Sequence, residues 1–159
     1  MRKPWLFALV ATLGLLLGIG AAPANAGVDD FSFDSFHADY VLGRDGEGRS
    51  TLRTTEHFVA RFPDFDQNRG FIRAIPRVFD GHWVEPSDLT VTDENGAARP
   101  FWTEVSGDFL RVVMAVPEGS YVRGVQHYVL SFTQRDVTAF YPDTDDDEFY
   151  WDLNGTDTK

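Results

Sequence analysis

The sequence predicts an all-β protein, an antiparallel β-sandwich of about six to eight strands that follows an N-terminal signal helix. Apolar and polar residues alternate along several segments, as they do in strands with one buried face. Prolines and glycines punctuate these segments frequently, and no stretch after the first 26 residues keeps an apolar period of 3.6 residues for three helical turns. Short strands at such regular spacing are typical of a sandwich.

The amino terminus has the pattern of a secretion signal. Two basic residues follow the first methionine, and an apolar run over residues 5–22 comes next. Ala24 and Ala26 fit the small-x-small cleavage pattern, which places the cut before Gly27.

We therefore expect residues 1–26 to be a signal peptide and residues 27–159 to be one extracytoplasmic domain. The alternative is an uncleaved membrane anchor, since the apolar run is just long enough to span a bilayer.

The first two segments of the domain predict a hairpin. Alternating apolar residues mark the first strand: Phe36, Ala38, Tyr40 and Leu42. A glycine-rich turn over residues 43–48 follows. In the second strand, most apolar residues lie at alternate positions, and the positions between them include charged residues. The apolar parity holds Leu52, Phe58, Ala60 and Phe62.

The middle of the chain alternates between loops and further strands. Residues 63–70 form a polar loop, and residues 71–79 mix apolar side chains with arginines around a proline that blocks a regular helix. A strand begins at residues 89–91, turns at residues 93–96 through an Asn-Gly pair that favours positive φ, and returns along residues 101–105.

The last third predicts three more strands. Residues 109–116 are apolar on both parities, which indicates a central strand covered on two faces. Residues 117–120 turn the chain, and residues 127–132 alternate again. Residues 143–148 are an acidic loop, and residues 149–151 form a last aromatic strand.

The composition excludes several functions. The 14 basic and 25 acidic residues give a net charge of −11, and loss of the signal would remove two basic residues and leave 12 against 25. Such a surface repels nucleic acid and anionic lipid. The chain has no cysteine, so it forms no disulfide, thiolate nucleophile or thiolate zinc site. Its only lysines are Lys3 and Lys159, which leaves no P-loop lysine.

Conventional catalytic motifs are missing from the sequence. The four histidines are scattered, with no His-Glu-x-x-His zinc motif. No Gly-x-Ser-x-Gly nucleophile elbow or complete dinucleotide fingerprint is present. We therefore expect no catalytic residue and no cofactor.

The densest anionic segment is a candidate for weak calcium binding. Asp143, Asp145 and Asp147 lie among six residues of which five are acidic, and a divalent cation would relieve their repulsion. The alternative is a solvated loop whose charges spread apart.

Carboxylates beside aromatic residues also suggest carbohydrate chemistry. Glu148 and Asp152 flank Tyr150 and Trp151, a composition compatible with glycoside hydrolysis. Three tryptophans could form a sugar-stacking platform, although core packing is the alternative. They are Trp83, Trp102 and Trp151.

The loop at residues 64–70 begins like a calcium loop but is not an EF-hand. An EF-hand loop needs glycine at its sixth position and a carboxylate at its twelfth. Here those positions hold Arg69 and Ile75.

Three segments in combination resemble a known family. They are the loop at residues 62–70 with the motif Arg-Gly-x-x-Arg-x-Ile-Pro, Gly124 with Tyr-Val-Leu at 128–130, and Asp-Glu-Phe-Tyr-Trp-Asp at 147–152. Over residues 28–155 the chain resembles the domain-of-unknown-function 2207 family of predicted bacterial membrane proteins.

The resemblance implies an extracytoplasmic β-rich domain followed by transmembrane helices, without an established activity or ligand. Compared with that arrangement, we expect this chain to be a truncated member of the family. Membrane association would then come from the signal segment or from a missing C-terminal region.

The resemblance also draws attention to one group of residues. We expect them to form either a structural clasp, in which arginines pair with the carboxylates of the loop, or an exposed partner-binding loop. The group is Asp64, Asp66, Arg69, Gly70, Arg73 and Pro76.

Three functional hypotheses follow. The first is a non-enzymatic interaction module at the bacterial cell envelope, with an unknown protein or envelope component as its partner. The second is a calcium- or carbohydrate-binding module that uses residues 143–152. The third is a carbohydrate-active enzyme.

Overall fold

The computed structural model describes residues 30–79, 81–143 and 146–151. The segment expected to be a signal peptide, with Ala24 and Ala26, lies outside the described residues, as does Asp152. The described residues form eleven strands and no helix. In chain order the strands are β1 Ser32–Arg44, β2 Ser50–Phe62, β3 Gly70–Pro76, β4 Val78–Phe79, β5 His82–Trp83, β6 Ser87–Thr92, β7 Trp102–Ser106, β8 Phe109–Ala115, β9 Gly124–Arg135, β10 Ala139–Tyr141 and β11 Asp146–Glu148.

Seven of these strands make two antiparallel sheets. The larger sheet has the order β1-β2-β9-β6 and the smaller has the order β3-β8-β7. One buried cluster joins side chains from both sheets: Phe58, Ala60, Phe62, Phe71, Ile75, Val91, Val112, Met114, Val122, Tyr128, Leu130 and Phe132. The predicted antiparallel sandwich is therefore confirmed.

The predicted first hairpin is present. β1 and β2 pair along their whole length, with Phe36 opposite Phe58 and Leu42 opposite Leu52. Every second residue of β2 is buried, from Ser50 to Phe62, because that face of the strand lies against the smaller sheet.

Two turns use the same aspartate-capped geometry. Asp45 Oδ1 accepts hydrogen bonds from the backbone N–H groups of residues 47 and 49, and Asp93 Oδ1 accepts from those of residues 95 and 97. In each turn a glycine at the fourth position takes a positive φ, 81° at Gly48 and 82° at Gly96. The expected positive φ at Asn95 is absent, since the glycine alone supplies it.

The return strand at residues 101–105 does not pair as the sequence suggested. After the bridge between Thr92 and Ala98, the chain leaves the larger sheet. Pro100 has no N–H to donate to a ladder, and pairing with β6 ends there. Residues 102–106 become β7, which pairs with β8 in the smaller sheet.

The central strand predicted at residues 109–116 is confirmed as β8, which lies between β3 and β7. Val112 and Met114 face the shared core. Val113, on the other parity, is also buried, with Ile72 and Trp102 beside it on the neighbouring strands.

The C-terminal segment differs from the prediction. Residues 146–148 of the expected acidic loop form β11, which pairs with β10. Residues 149–151 are not a strand. Phe149 and Trp151 instead pack on a second, smaller cluster of buried residues made of Leu52, Val84 and Val137.

In the part of the chain that the structure describes, there is no helix with the length and hydropathy needed to cross a membrane.

Candidate functional site

The loop at residues 63–69 is tied to the rest of the domain, but by different pairs from those expected. Arg69 donates two hydrogen bonds to the backbone carbonyl of Val116, at 3.0 and 2.9 Å. Asp66 accepts from Arg123, an arginine 57 residues further along the chain. Arg69 and Arg73 therefore bind other acceptors than the loop carboxylates expected for a clasp. The alternative, an exposed partner-binding loop, stays a prediction.

Arg73 reaches into the sandwich and binds a carboxylate that the sequence analysis missed. Glu56 lies on the inward face of β2 with 1% of its side chain exposed. Arg73 Nε lies 2.9 Å from Glu56 Oε2 and Arg73 Nη2 lies 2.7 Å from Oε1, a bidentate ion pair. Burial alone would lower the pKa of Arg73, but the hydrogen bonds and charge of Glu56 outweigh it and raise that pKa.

A signal for Glu56 was present in the sequence. It shares its parity in β2 with Leu52, Phe58 and Ala60, all of which are buried. A carboxylate on a strand face that is otherwise apolar requires a cationic partner.

Gly70 and Pro76 mark the two ends of β3. A Cβ atom on Gly70 would lie 1.9 Å from the carbonyl oxygen of Met114, and its φ is +146°. Glycine is therefore required where β3 meets β8. The carbonyl of Pro76 accepts a hydrogen bond from the buried side chain of Gln134 on β9. Both residues thus have structural roles.

The structure describes the side chain of only one of the three candidate calcium ligands in the acidic segment. Asp143 is exposed, whereas Asp145 and the side chain of Asp147 lie outside the described residues. Within the described residues, no three side chains of the metal-binding types are grouped closely enough to hold an ion. The calcium site stays a prediction.

A pocket of about 400 Å³ opens where β10 and β11 approach Phe79 and His82. Its lining combines aromatic, apolar and polar side chains: Phe79, His82, Val137, Thr138, Ala139, Tyr141, Glu148 and Tyr150. The ring of Tyr150 lies 6.4 Å from that of Phe79 at an angle of 26°, and Tyr150 is 71% exposed. We call this the aromatic pocket.

The three tryptophans do not share a platform. Trp151 packs against Phe79, with ring centroids 4.8 Å apart. Trp83 lies under the guanidinium of Arg77. Trp102 is on β7, and its indole N–H donates to Glu104. Among the described residues, no aromatic contact joins any two of these indoles.

A second surface lies along β1, the outermost strand of the larger sheet. Among the described residues, no strand pairs with its outer edge. A register shift between Phe33 and Ser35 leaves Asp34 without an opposite residue in the β1–β2 ladder. From Ser35 to Arg44 the register of the ladder is regular. Phe36, Val41 and Leu42 are 46%, 62% and 48% exposed. We call residues 35–44 the β1 edge.

The strand register also brings together two histidines that are scattered in the sequence. His37 and His57 face each other across β1 and β2, with ring centroids 6.1 Å apart. Their Nε2 atoms lie 3.3 and 3.8 Å from the carboxylate of Asp39 on the β1 edge. All three side chains are about half exposed or more.

Comparisons with protein-family models, with curated proteins and with solved structures find no match to this chain. The resemblance to the domain-of-unknown-function 2207 family stays a prediction.

Proposed function

We propose that the domain is a non-enzymatic interaction module, displayed outside the cytoplasm by a membrane-associated bacterial protein, and that it binds a protein partner at the cell envelope through the β1 edge. The observation that supports this most is the outer edge of a 13-residue strand, with which no other strand pairs among the described residues. Partner proteins commonly add an extended segment to such an edge.

The β1 edge offers a long row of backbone hydrogen-bonding groups. Alternate residues of an edge strand direct N–H and C=O groups outward, where they are free to pair with another chain. Natural edge strands are usually protected by proline, lysine or frequent bulges. Residues 35–44 contain no proline or lysine and have a regular register, and their charged residues are Asp39 and Arg44.

The side chains of the β1 edge supply the apolar contacts that strand addition needs. Phe36 and Leu42 lie on the face directed at the core, but both are about half exposed because the larger sheet ends at β1. An added strand would cover them from the side. Val41, on the other face, is exposed to a similar degree.

A phage-displayed library of 12-residue peptides tests this proposal. We expect enrichment of peptides with alternating apolar residues, and their affinity should fall roughly tenfold on Val41→Lys, because lysine protects an edge against strand addition. Val105→Lys is the matched control: Val105 is also 62% exposed and lies on β7, the edge of the smaller sheet. Enrichment of no peptide, or equal losses in both variants, would overturn the proposal.

The aromatic pocket supports a second candidate function, carbohydrate binding. Exposed aromatic rings can stack on sugar rings, while Glu148 and His82 provide hydrogen-bonding groups in the same pocket. Isothermal calorimetry with soluble envelope polysaccharides should detect binding that Tyr141→Ala abolishes. Tyr121→Ala, a change at a similarly exposed tyrosine elsewhere, should leave binding intact.

Two further readouts address the remaining alternatives. A calcium site at residues 143–148 requires a thermal shift at several millimolar calcium, which is the affinity range of weak extracellular sites. An enzymatic role would require turnover of a glycoside panel that Glu148→Gln abolishes.

A further inference from the structure

We propose that the partner of the β1 edge is a second copy of this chain, which pairs antiparallel to the first with Ala38 opposite Ala38 across a two-fold axis. This inference rests on the proposed function, because it names the partner for the same edge. It would join two four-stranded sheets into one continuous sheet of eight strands.

Geometry limits the possible registers. Opposite residues in an antiparallel pair have side chains on the same face of the sheet, so a two-fold axis must pass through a residue pair and not between two. Each candidate register is therefore defined by the residue that faces its own copy. Four such residues lie near the middle of the edge: His37, Ala38, Asp39 and Tyr40.

The charges of β1 are complementary in the register centred on Ala38. His37 of each copy then faces Asp39 of the other, and this occurs twice because of the symmetry. His37 and Asp39 already lie 3.3 Å apart within one chain, so the two copies would form a ring of alternating imidazole and carboxylate groups. An imidazole directly opposite a carboxylate can donate a hydrogen bond to it, and opposite charges add to this attraction when the imidazole is protonated.

The apolar side chains also match in this register. Phe36 faces Tyr40 of the other copy, on the side of the sheet that faces the core, and an aromatic cross-strand pair is among the most favourable. On the outer face, Val41 lies opposite Ser35. The half-exposed ring of Phe36 would lose much of its contact with water.

The neighbouring registers are poorer. Centring on Asp39 sets two carboxylates opposite each other, and like charges at such positions are destabilising. Centring on His37 sets two imidazoles opposite each other and leaves Asp39 opposite Ser35. Centring on Tyr40 places Phe36 opposite Arg44 and leaves His37 opposite Gly43. Charge complementarity therefore selects the Ala38 register.

The chain itself provides a clean test, because it contains no cysteine. In the proposed dimer the two Ala38 Cα atoms lie about 5 Å apart, within reach of a disulfide. The two Leu42 Cα atoms lie eight residues apart along the strands, about 26 Å. Under mild oxidation the full chain carrying Ala38→Cys should form a covalent dimer at least about tenfold faster than the chain carrying Leu42→Cys.

A charge exchange tests the same register without a covalent bond. Sedimentation velocity of the unmodified chain should show a concentration-dependent, weak dimer, as expected for a small interface. His37→Asp should abolish the dimer because it sets two carboxylates opposite each other. The double variant His37→Asp/Asp39→His should restore it, since each pair again combines an imidazole with a carboxylate.

The outcomes separate this inference from the proposed function. A chain that stays monomeric while selected peptides still bind the β1 edge overturns self-pairing and leaves strand addition standing. Equal crosslinking of the two cysteine variants, or no rescue by the double variant, overturns the register. A monomer whose β1 amides are all protected from hydrogen exchange overturns both, because another part of the same chain then occupies the edge.

Discussion

At the scale of single residues, the buried pair of Glu56 and Arg73 has the largest consequences for stability. A carboxylate between two sheets loses its hydration, and only a close, bidentate cation offsets that cost. Arg73 meets this need from β3, so the pair also links the two sheets of the sandwich. Removal of either partner alone would leave the other without its counter-charge between the sheets.

We predict that Arg73→Ala lowers the free energy of unfolding by about 3–5 kcal/mol, because Glu56 would remain buried without a partner. Urea denaturation followed by circular dichroism measures the change. Arg123→Ala, which removes the half-exposed partner of Asp66, is the control and should cost less than about 1 kcal/mol. The double change Glu56→Leu/Arg73→Met should recover most of the loss, and failure to do so would show that the arginine acts mainly through packing.

Gly70 permits a contact between β3 and β8 that no other residue allows. We predict that Gly70→Ala destabilises the domain by more than about 2 kcal/mol, since the new Cβ would collide with the Met114 carbonyl. Gly46→Ala is the matched control because no atom lies within 4 Å of the added carbon, and it should change stability by less than about 0.5 kcal/mol. Thermal unfolding of the two variants decides the matter, and equal melting temperatures would contradict the prediction.

Asp45 gives the domain a specific dependence on pH. Burial of the carboxylate would raise its pKa, but hydrogen bonds from the backbone N–H groups of Arg49 and Glu47, and the charges of Arg49 and Arg135, hold that pKa below its usual value. A depressed pKa stabilises the fold above the pKa of the unfolded chain, and this stability is lost as the pH falls through the folded value.

We therefore predict that Asp45→Asn lowers stability at neutral pH and makes it less sensitive to pH below about pH 4. Urea titrations of both proteins between neutral and acidic pH measure the two slopes. Parallel slopes would show that the carboxylate of Asp45 titrates alike in the folded and unfolded chains.

At the scale of strands and turns, local sequence patterns predicted the first hairpin and several strands, but they did not predict which strands pair over long range. The β1–β2 hairpin was predictable, because alternation in two adjacent segments and a glycine-rich turn are all local signals. The short β4–β5 hairpin was not, since strands of two residues show no alternation. β7 was assigned to the wrong partner strand. Pro100 indicates where pairing with β6 ends, but it does not indicate that β7 then pairs with β8.

The candidate site was less predictable than the fold for a similar reason. Asp66 pairs with Arg123 and Glu56 with Arg73 through contacts that only the assembled sheets create. The β1 edge depends on strand order, since the same alternating pattern would be covered in a central strand. Sequence could thus identify the strand but not its exposure.

At the scale of the whole molecule, the residues that the structure describes form two buried clusters of unequal size. The larger one joins both sheets, whereas the smaller one consists of Leu52, Val84 and Val137 with four partly buried aromatic residues around it. The smaller cluster lies beside the aromatic pocket, with which it shares Phe79 and Val137. Regions with few buried contacts open at a lower free energy than the global one.

We predict that the aromatic pocket and the smaller cluster open as a unit before the sandwich unfolds. The amide of Val84, which donates to the carbonyl of Arg77, should exchange hydrogen faster than core amides of β9, because its protection depends on three buried side chains and not on the shared core. Val84→Ala should speed exchange at this amide and its neighbours and leave the β9 amides nearly unchanged. Equal acceleration in both regions, measured by hydrogen exchange and NMR, would show that the two clusters unfold together. The walls of the pocket would then be as stable as the sandwich, and any ligand would meet a preformed site.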